Sequence, residues 1–83
     1  MSPGSLVRLA ACAENTLGAI GDGVPLWSEA LMRHIRVPIG TVGVVIRIEP
    51  TAPGGAPVAD VLWPGGVTCA FPHRLEPLAE PRP

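Results

Sequence analysis

The sequence contains no lysine and no tyrosine, one phenylalanine and two tryptophans. Its six basic residues are all arginines, and seven acidic residues leave a formal net charge of −1. Non-specific binding to nucleic acid depends on clustered Lys and Arg that neutralise phosphates, and binding to single strands adds aromatic rings on which bases stack. This composition disfavours nucleic acid as a partner.

Cysteine is almost as scarce, since Cys12 and Cys69 are the only two and stand far apart. A zinc site takes about four Cys or His ligands at local spacings, and His34 and His73 are also isolated. The sequence therefore predicts no metal site and no cofactor. The two thiols are expected to fill small gaps in the core, or to form a single bridge if the fold brings them together.

Long apolar runs are missing as well, because ten glycines and eleven prolines divide the apolar residues into short segments. No segment approaches the roughly 18 uninterrupted apolar residues that a membrane-spanning helix needs. Residues 1–4 show no basic segment leading into an apolar one, so no secretory signal is predicted. We expect a soluble protein of the cytoplasm that has no membrane partner.

The length of 83 residues corresponds to one small domain. A core of this size rarely supplies more than about 3–5 kcal/mol of net stability without a disulfide, a metal or a partner. We therefore expect assembly with other protein chains, with a homo-oligomer as one form of it.

Apolar residues that alternate along the chain predict the strands of an all-β fold. The first strand is predicted over residues 6–11, with Val7 and Leu9 facing inward. A β-branched segment over residues 41–49 predicts the central strand. Val45 is expected to point outward from this strand. The inner face is predicted to carry Val42, Val44, Ile46 and Ile48.

A mobile loop over residues 50–57 is predicted to separate the central strand from the next one, over residues 58–63. Asp60 should face water, so Leu62 is expected to share the outer face of that strand. The predicted inner face consists of Ala59, Val61 and Trp63.

The tightest turn signal is Pro64-Gly65-Gly66, since proline presets a negative φ and glycine accepts a positive one. It predicts a hairpin whose returning strand covers residues 67–71. One 3₁₀ turn and a short closing strand over residues 72–78 complete a single domain over residues 1–78, followed by a flexible tail over 79–83. The inward residues predicted on the returning strand are Val67, Cys69 and Phe71.

Residues 13–39 interrupt the strand pattern and are predicted to be a long loop inserted after the first strand. Within this loop, Ser28 is a suitable N-cap and Glu29 suits the positive end of a helix dipole. Basic residues follow one turn later. A short helix is therefore predicted over residues 29–34.

The order of these segments resembles SH3-like β-barrels. The motifs are the Gly-x-Val-Gly-x-Val-x-x-Ile strand at 40–48, the strand over 58–63, the Pro-Gly-Gly turn and the terminal His-Arg-Leu-Glu-Pro-Leu at 73–78. The resemblance covers nearly the whole chain and implies a small five-stranded barrel with a long first loop that carries a short helix. The chain lacks the acidic loop and aromatic groove of signalling SH3 domains, so binding to proline-rich peptides is not expected.

Among such barrels, the sequence most resembles the small barrel proteins encoded by tailed bacteriophages. This resemblance implies an accessory component of the phage particle, such as a head, cement or connector protein. The expected location is then the virion or the cytoplasm of the bacterial host.

An enzyme would need a nucleophile with a base, or a pair of carboxylates in a pocket. Cys69 and His73 are the only nucleophile and base that lie close in sequence. Because Cys69 is predicted to face the core and His73 to lie in an exposed turn, no catalytic residue is expected.

We expect a non-enzymatic structural or interaction module, because several apolar residues are left outside the predicted core and exposed apolar patches usually mark contacts with another chain. The first strand, if it lies at a sheet edge, could also pair with a neighbour's sheet. The alternative function is a nucleic-acid-binding small barrel of the KOW or OB type. The candidate partner-binding residues are Leu17, Ile20, Leu26, Trp27, Val45 and Leu62.

Overall fold

The computed structural model describes residues 2–19, 23–50, 55 and 57–79. Within these ranges the chain forms seven strands, a short helix α1 (Ala13–Gly18) and a 3₁₀ turn (Pro72–Arg74). None of the helical segments in these ranges is long and apolar enough to cross a membrane. The strands are β1 (Leu6–Leu9), β2 (Val24–Ser28), β3 (Arg33–Val37), β4 (Val42–Pro50), β5 (Pro57–Trp63), β6 (Gly66–Ala70) and β7 (Leu75–Ala79).

Five of the strands form one antiparallel sheet in the order β6-β5-β4-β1-β7, and β2 and β3 form a separate hairpin. The all-β prediction is confirmed, and the five predicted strands are those of the larger sheet. Strand β1 lies between β4 and β7. The expectation that β1 could lend its edge to a neighbour is therefore wrong, because both of its edges are already paired.

The predicted helix over residues 29–34 is wrong, since this segment contains the turn that joins β2 to β3. The Ser28 hydroxyl accepts a hydrogen bond from the Leu31 N–H at 3.3 Å, as an N-cap would, but it closes a turn here. Met32 then adopts a φ of 53°, in the left-handed region that a right-handed helix cannot continue through. The helix lies earlier in the insertion, as α1.

The core draws residues from both sheets, with Val24, Leu26 and Val37 contributed by the hairpin. The predicted inner faces of β1 and β5 are confirmed. The remaining buried hydrophobic residues are Val7, Leu9, Val45, Ala59, Val61, Trp63, Ala70 and Leu75.

The predicted inner and outer faces of β4 are exchanged over its first half. Val45 is fully buried, whereas Val44 is 36% exposed. Gly43 explains the choice, because a Cβ at this position would lie 2.7 Å from both the Trp63 ring and a Val61 methyl group. The face of Gly43 therefore has to be the inner one. A bulge after Val45 then shifts the alternation by one residue, so that Ile48 returns to the core as predicted.

The predicted inner face of β6 is also wrong, because the buried residues are Thr68 and Ala70 rather than Val67, Cys69 and Phe71. The reason is a polar contact inside the core. The Trp63 indole Nε1–H donates a hydrogen bond to the Thr68 hydroxyl at 2.8 Å, so Thr68 has to point inward.

The turn between β5 and β6 is confirmed, with Trp63 paired to Gly66 across it. The positive φ falls at Gly66, where it is 140°, and not at Gly65. The 3₁₀ turn and the closing strand are confirmed too, and β7 extends to Ala79. Most of the predicted loop over 50–57 and the rest of the predicted tail lie outside the described residues.

We expect Gly43→Ala to lower the free energy of unfolding by about 1–3 kcal/mol, because its methyl group would overlap the Trp63 ring. Urea denaturation measures this loss. Gly65→Ala is the control, since its φ is not positive and the nearest atom to a new Cβ is Ile35 Cδ1 at 4.0 Å. It should stay within about 0.5 kcal/mol of the wild type. Equal effects of the two variants would contradict the close contact at Gly43.

We expect Thr68→Val to cost about 1–3 kcal/mol, because it leaves the buried Trp63 N–H without an acceptor while the side-chain volume hardly changes. Thr41→Val removes a hydrogen bond of similar length, 2.7 Å to the Pro38 carbonyl, at an exposed site. That control should cost clearly less, because water replaces the lost partner. Thermal unfolding of both variants measures the difference, and equal losses would show that the buried hydrogen bond has no special weight.

Candidate interaction surface

The outer face of the five-stranded sheet, opposite the core, carries a group of exposed aliphatic side chains. Because successive strand residues point to opposite faces, these side chains project away from buried Val7, Val45 and Val61. Each is between 36% and 47% exposed. We name this group the aliphatic stripe, and it consists of Leu6, Val42, Val44, Ile46, Leu62 and Leu78.

The strand register makes the aliphatic stripe continuous. Leu6 of β1 is paired with Val44 of β4, and Val44 is paired with Leu62 of β5. Leu62 in turn is paired with Val67 of β6, which is half-buried. Directly opposite residues of antiparallel strands have Cβ atoms about 5 Å apart on the same face. One apolar row therefore crosses four neighbouring strands.

The size of the aliphatic stripe sets it apart from scattered surface hydrophobics. It holds half of the exposed large hydrophobic residues of the described ranges. Six aliphatic side chains at these exposures present apolar surface on the order of several hundred Å², comparable to the largest patch on a typical monomer. The largest apolar patch on a monomer is often a functional surface.

Ion pairs border the aliphatic stripe at both ends of β4. Arg8, which is paired in register with Val42, donates from Nη2 to Oε1 of Glu76 at 2.7 Å. At the other end, Arg47 contacts Asp60 at 2.9 Å and Glu49 at 3.0 Å. Acids thus stand beside each arginine, and the border of the aliphatic stripe contains both signs of charge.

The pKa values of these border groups follow from the contacts. The hydrogen bond from Arg8 lowers the pKa of the Glu76 carboxyl, and the arginine charge adds to the effect. The same hydrogen bond raises the pKa of Arg8. A hydrogen bond to Asp60 and the charge of Glu49 raise the pKa of Arg47. Arg8, Arg47 and Glu76 therefore stay ionised at neutral pH.

Two of the predicted partner-binding residues are buried, so their expected exposure is wrong. Val45 was expected outside the sheet and is fully buried beside Val61, because Gly43 determines which face of β4 is inner. Leu26 is only 2% exposed, because the hairpin packs it into the core instead of leaving it in an open loop.

The other predicted residues are dispersed. Leu62 is 47% exposed and belongs to the aliphatic stripe, which confirms the prediction that its side chain points outward from β5. Leu17 is 86% exposed on α1, and Trp27 is 37% exposed on the hairpin. Ile20 lies outside the described residues. Partner binding by these three residues stays a prediction of the sequence, and of the three only Leu62 lies in the aliphatic stripe.

Most members of the aliphatic stripe were missed from the sequence. Val42, Val44 and Ile46 were assigned to the core because they alternate with Arg47 and Glu49, and the bulge after Val45 that breaks this alternation has no clear signal in the sequence. The signal that could have found them is Gly43. A glycine within a strand often marks a close approach by another group, and the sequence offers Trp63 as a large ring to cover it.

Trp27 lines a groove of about 240 Å³ beside the hairpin. Its ring meets the His34 ring edge-on, with the centroids 5.2 Å apart. The lining also includes Pro25, Val58, Phe71 and Arg74. This groove is smaller than the roughly 300–1,000 Å³ typical of small-molecule sites.

A polar cluster fastens α1 to the 3₁₀ turn. Fully buried Asn15 donates from Nδ2 to the carbonyls of Ala10 at 2.7 Å and Arg74 at 3.0 Å. Its Oδ1 accepts a hydrogen bond from Arg74 Nε at 2.6 Å. Glu14 bonds to the ring of His73, and this contact lowers the pKa of the Glu14 carboxyl. His73 is thus held at the helix.

The thiols and the potential metal ligands are in states or positions that disfavour catalysis and metal binding. Cys12 and Cys69 are both free thiols. Burial raises the pKa of Cys69, which disfavours the thiolate that acts as a nucleophile. Within the part of the chain that the structure describes, no three His, Cys, Asp or Glu side chains are grouped so that they could hold a metal ion.

We expect the contribution of Glu76 to stability to be present at neutral pH and to disappear in acid. Its folded-state pKa is lowered, so this stabilisation exists above the unfolded-state pKa and is lost as the pH falls through the folded-state value. Glu76→Gln should therefore unfold at lower urea concentration than the wild type near neutral pH, and the difference should vanish once the pH lies below the lowered folded-state pKa of Glu76.

Arg8→Met is the control for this pH dependence. Without the guanidinium, the pKa of Glu76 returns toward its usual range, so adding Glu76→Gln to Arg8→Met should change the urea midpoint little at any pH. If the Glu76→Gln difference persisted in acid, the ion pair would not be its cause.

The sequence matches no protein-family model, and no curated protein or solved structure is significantly similar to it.

Proposed function

We propose that the protein is a non-enzymatic interaction module that docks on another protein chain through the aliphatic stripe. The observation that carries this proposal is the continuous apolar row formed by Leu6, Val44 and Leu62 on the outer face of the sheet. Covering apolar surface gains roughly 25 cal/mol per Å², so a partner that covers the aliphatic stripe removes several kcal/mol of unfavourable hydration.

The edges of the sheet support docking through its face. Strand β7 forms one edge and contains Pro77, which lacks an N–H and is typical of an edge that does not pair further. Strand β6 forms the other edge, and β2 of the hairpin packs beside it. Strand addition is therefore disfavoured at both edges.

The polar groups also support a non-enzymatic role. The carboxylates of Glu14, Asp60 and Glu76 are each bonded to a basic side chain. A general acid or base needs a free position from which it can reach a substrate proton. Cys69 and His73 are the nucleophile and base that lie close in sequence. Cys69 is favoured as a neutral thiol and His73 is bonded to Glu14, so this pair is poorly suited to catalysis.

The proposal includes a more specific fold, the small SH3-like barrel. Its support is the sheet order β6-β5-β4-β1-β7, the hairpin that follows β1, and the 3₁₀ turn that precedes β7. The sequence resemblance to barrels of tailed bacteriophages supports a more specific role, that of an accessory virion component such as a head, cement or connector protein. Such a component would act in the virion or in the cytoplasm of its host.

Nucleic-acid binding is the weaker alternative. Arg8 and Arg47 are bonded to carboxylates, and Arg74 Nε lies 3.9 Å from a carboxylate oxygen of Glu14. These contacts reduce the positive charge available to phosphates, and counterion release from DNA requires such charge. The absence of lysine and tyrosine from the sequence points the same way.

We expect Leu62→Lys to weaken docking at least about tenfold while the domain stays folded, because it places a charge at the centre of an apolar contact. Sedimentation of the chain in gentle extracts of its own source measures docking. Wild-type protein should sediment faster than a free chain, as a complex with whichever chain covers the aliphatic stripe, and Leu62→Lys should sediment as the free chain. Near-ultraviolet circular dichroism of the tryptophans checks the fold.

Two controls separate the aliphatic stripe from the other exposed apolar residues. Leu17→Lys introduces the same charge on α1, and Trp27→Ala alters the groove; both should sediment as the wild type does. If Trp27→Ala releases the chain while Leu62→Lys does not, docking uses the groove and the proposal fails. A chain that is free in every extract and shifts a labelled oligonucleotide at low salt would favour the nucleic-acid alternative.

A further inference from the structure

We propose that the partner that covers the aliphatic stripe is a second copy of this chain, packed face to face with the first around a two-fold axis. This inference rests on the proposed function, because it names the chain that docks there. In such a dimer the outer faces of two five-stranded sheets form a sandwich, with the sheets about 10 Å apart and their strands within about 30° of each other.

The area of the outer face suits a dimer of this kind. The row from Val67 to Leu6 crosses four strands, which is roughly 14 Å at the usual strand spacing. Along β4 the aliphatic stripe runs from Val42 to Ile46, roughly 13 Å. The aliphatic side chains present several hundred Å² of surface, and the ion-pair side chains beside them, which are 27–62% exposed, add to it, so a face-to-face contact falls at or below the roughly 800 Å² per partner that a standard interface buries. That is about a sixth of the chain's 5083 Å² of accessible surface.

The arrangement of the face is that of an interface core with a polar rim. Its centre is aliphatic, while the Arg8–Glu76 and Arg47–Asp60 pairs lie beyond opposite ends of the aliphatic stripe. Stable interfaces show the same distribution, with charged residues depleted at the core and polar groups around it.

The charges of this face favour an identical partner. A two-fold contact brings the same patch of both copies together, so the patch must be complementary to itself. An apolar row meets this condition, and so does a border in which each arginine stands beside an acid, because no single sign of charge faces itself. The chain's net charge of −1 adds little repulsion between copies. A strongly acidic or basic partner would find no opposite field here.

Sedimentation equilibrium of the purified chain over a range of concentrations tests the proposal. We expect the wild type to form dimers and Leu62→Lys and Leu62→Glu to be monomers, each with a dimer dissociation constant at least about tenfold higher than the wild type. Leu17→Lys is the matched control and should dimerise as the wild type does.

Mixing the two charged variants tests whether the faces meet each other. In a face-to-face dimer, the ammonium group introduced by Leu62→Lys in one copy and the carboxylate introduced by Leu62→Glu in the other lie within the same contact. A mixture of the two variants should therefore associate at least about tenfold more tightly than either variant alone. A mixture that stays monomeric, although the wild type is dimeric and both variants are folded, would overturn the face-to-face arrangement.

The results also distinguish this inference from the proposed function. A wild type that is monomeric even at about 1 mM overturns the dimer. If Leu62→Lys still releases that monomeric chain from the larger assembly in extracts, the aliphatic stripe binds a different protein and the proposed function stands. If Leu62→Lys changes neither dimerisation nor sedimentation in extracts, both the inference and the proposed function fail.

Discussion

The packing of Trp63 against Gly43 is the constraint on which the rest of the structure depends. The Trp63 ring occupies the space that a Cβ at position 43 would need, and its indole N–H donates to Thr68 across the hairpin turn. The first contact determines which face of β4 is inner, and the second does the same for β6. Successive side chains of a strand point to opposite faces. Turning the other face of β4 or β6 inward would therefore expose the buried residues of that strand and bury its exposed ones.

This choice of face explains why an apolar surface remains outside. Once Gly43 and Val45 face the core, the equally apolar Val42 and Val44 have to face solvent, and the paired Leu6 and Leu62 lie beside them. A sheet with one wet face would normally carry polar residues there. The aliphatic stripe is therefore unfavourable for an isolated chain, and its presence is understandable if the face is covered by protein.

The sequence predicted the all-β class and the five strands of the larger sheet, because alternation and the Pro-Gly-Gly turn are local signals. It also predicted the inner faces of β1 and β5, where a charged residue marks the outer face. It failed at β4 and β6. The inner face of β4 is determined by the close approach of Trp63 to Gly43, and the inner face of β6 by a hydrogen bond to Thr68. Alternation of apolar residues reveals neither contact. The helix expected over residues 29–34 was also wrong because of a contact distant in sequence. These residues have good helix propensity, but they contain the turn of a hairpin whose apolar side packs on the core. In the candidate site, the outward position of Leu62 was predicted from the sequence. The stripe residues on β4 were missed because the inner and outer faces of the first half of that strand were exchanged in the prediction.

The two protected edges have a consequence for how far assembly can proceed. A sheet with an open edge can add strand after strand, which is the route to fibres. Here Pro77 stands in one edge strand and β2 packs beside the other. The aliphatic stripe lies on a single face of the sheet and holds half of the exposed large hydrophobic residues of the described ranges, and two such faces that meet leave each other covered. Association of this kind closes on itself, so a chain with this much exposed aliphatic surface can still avoid open-ended growth.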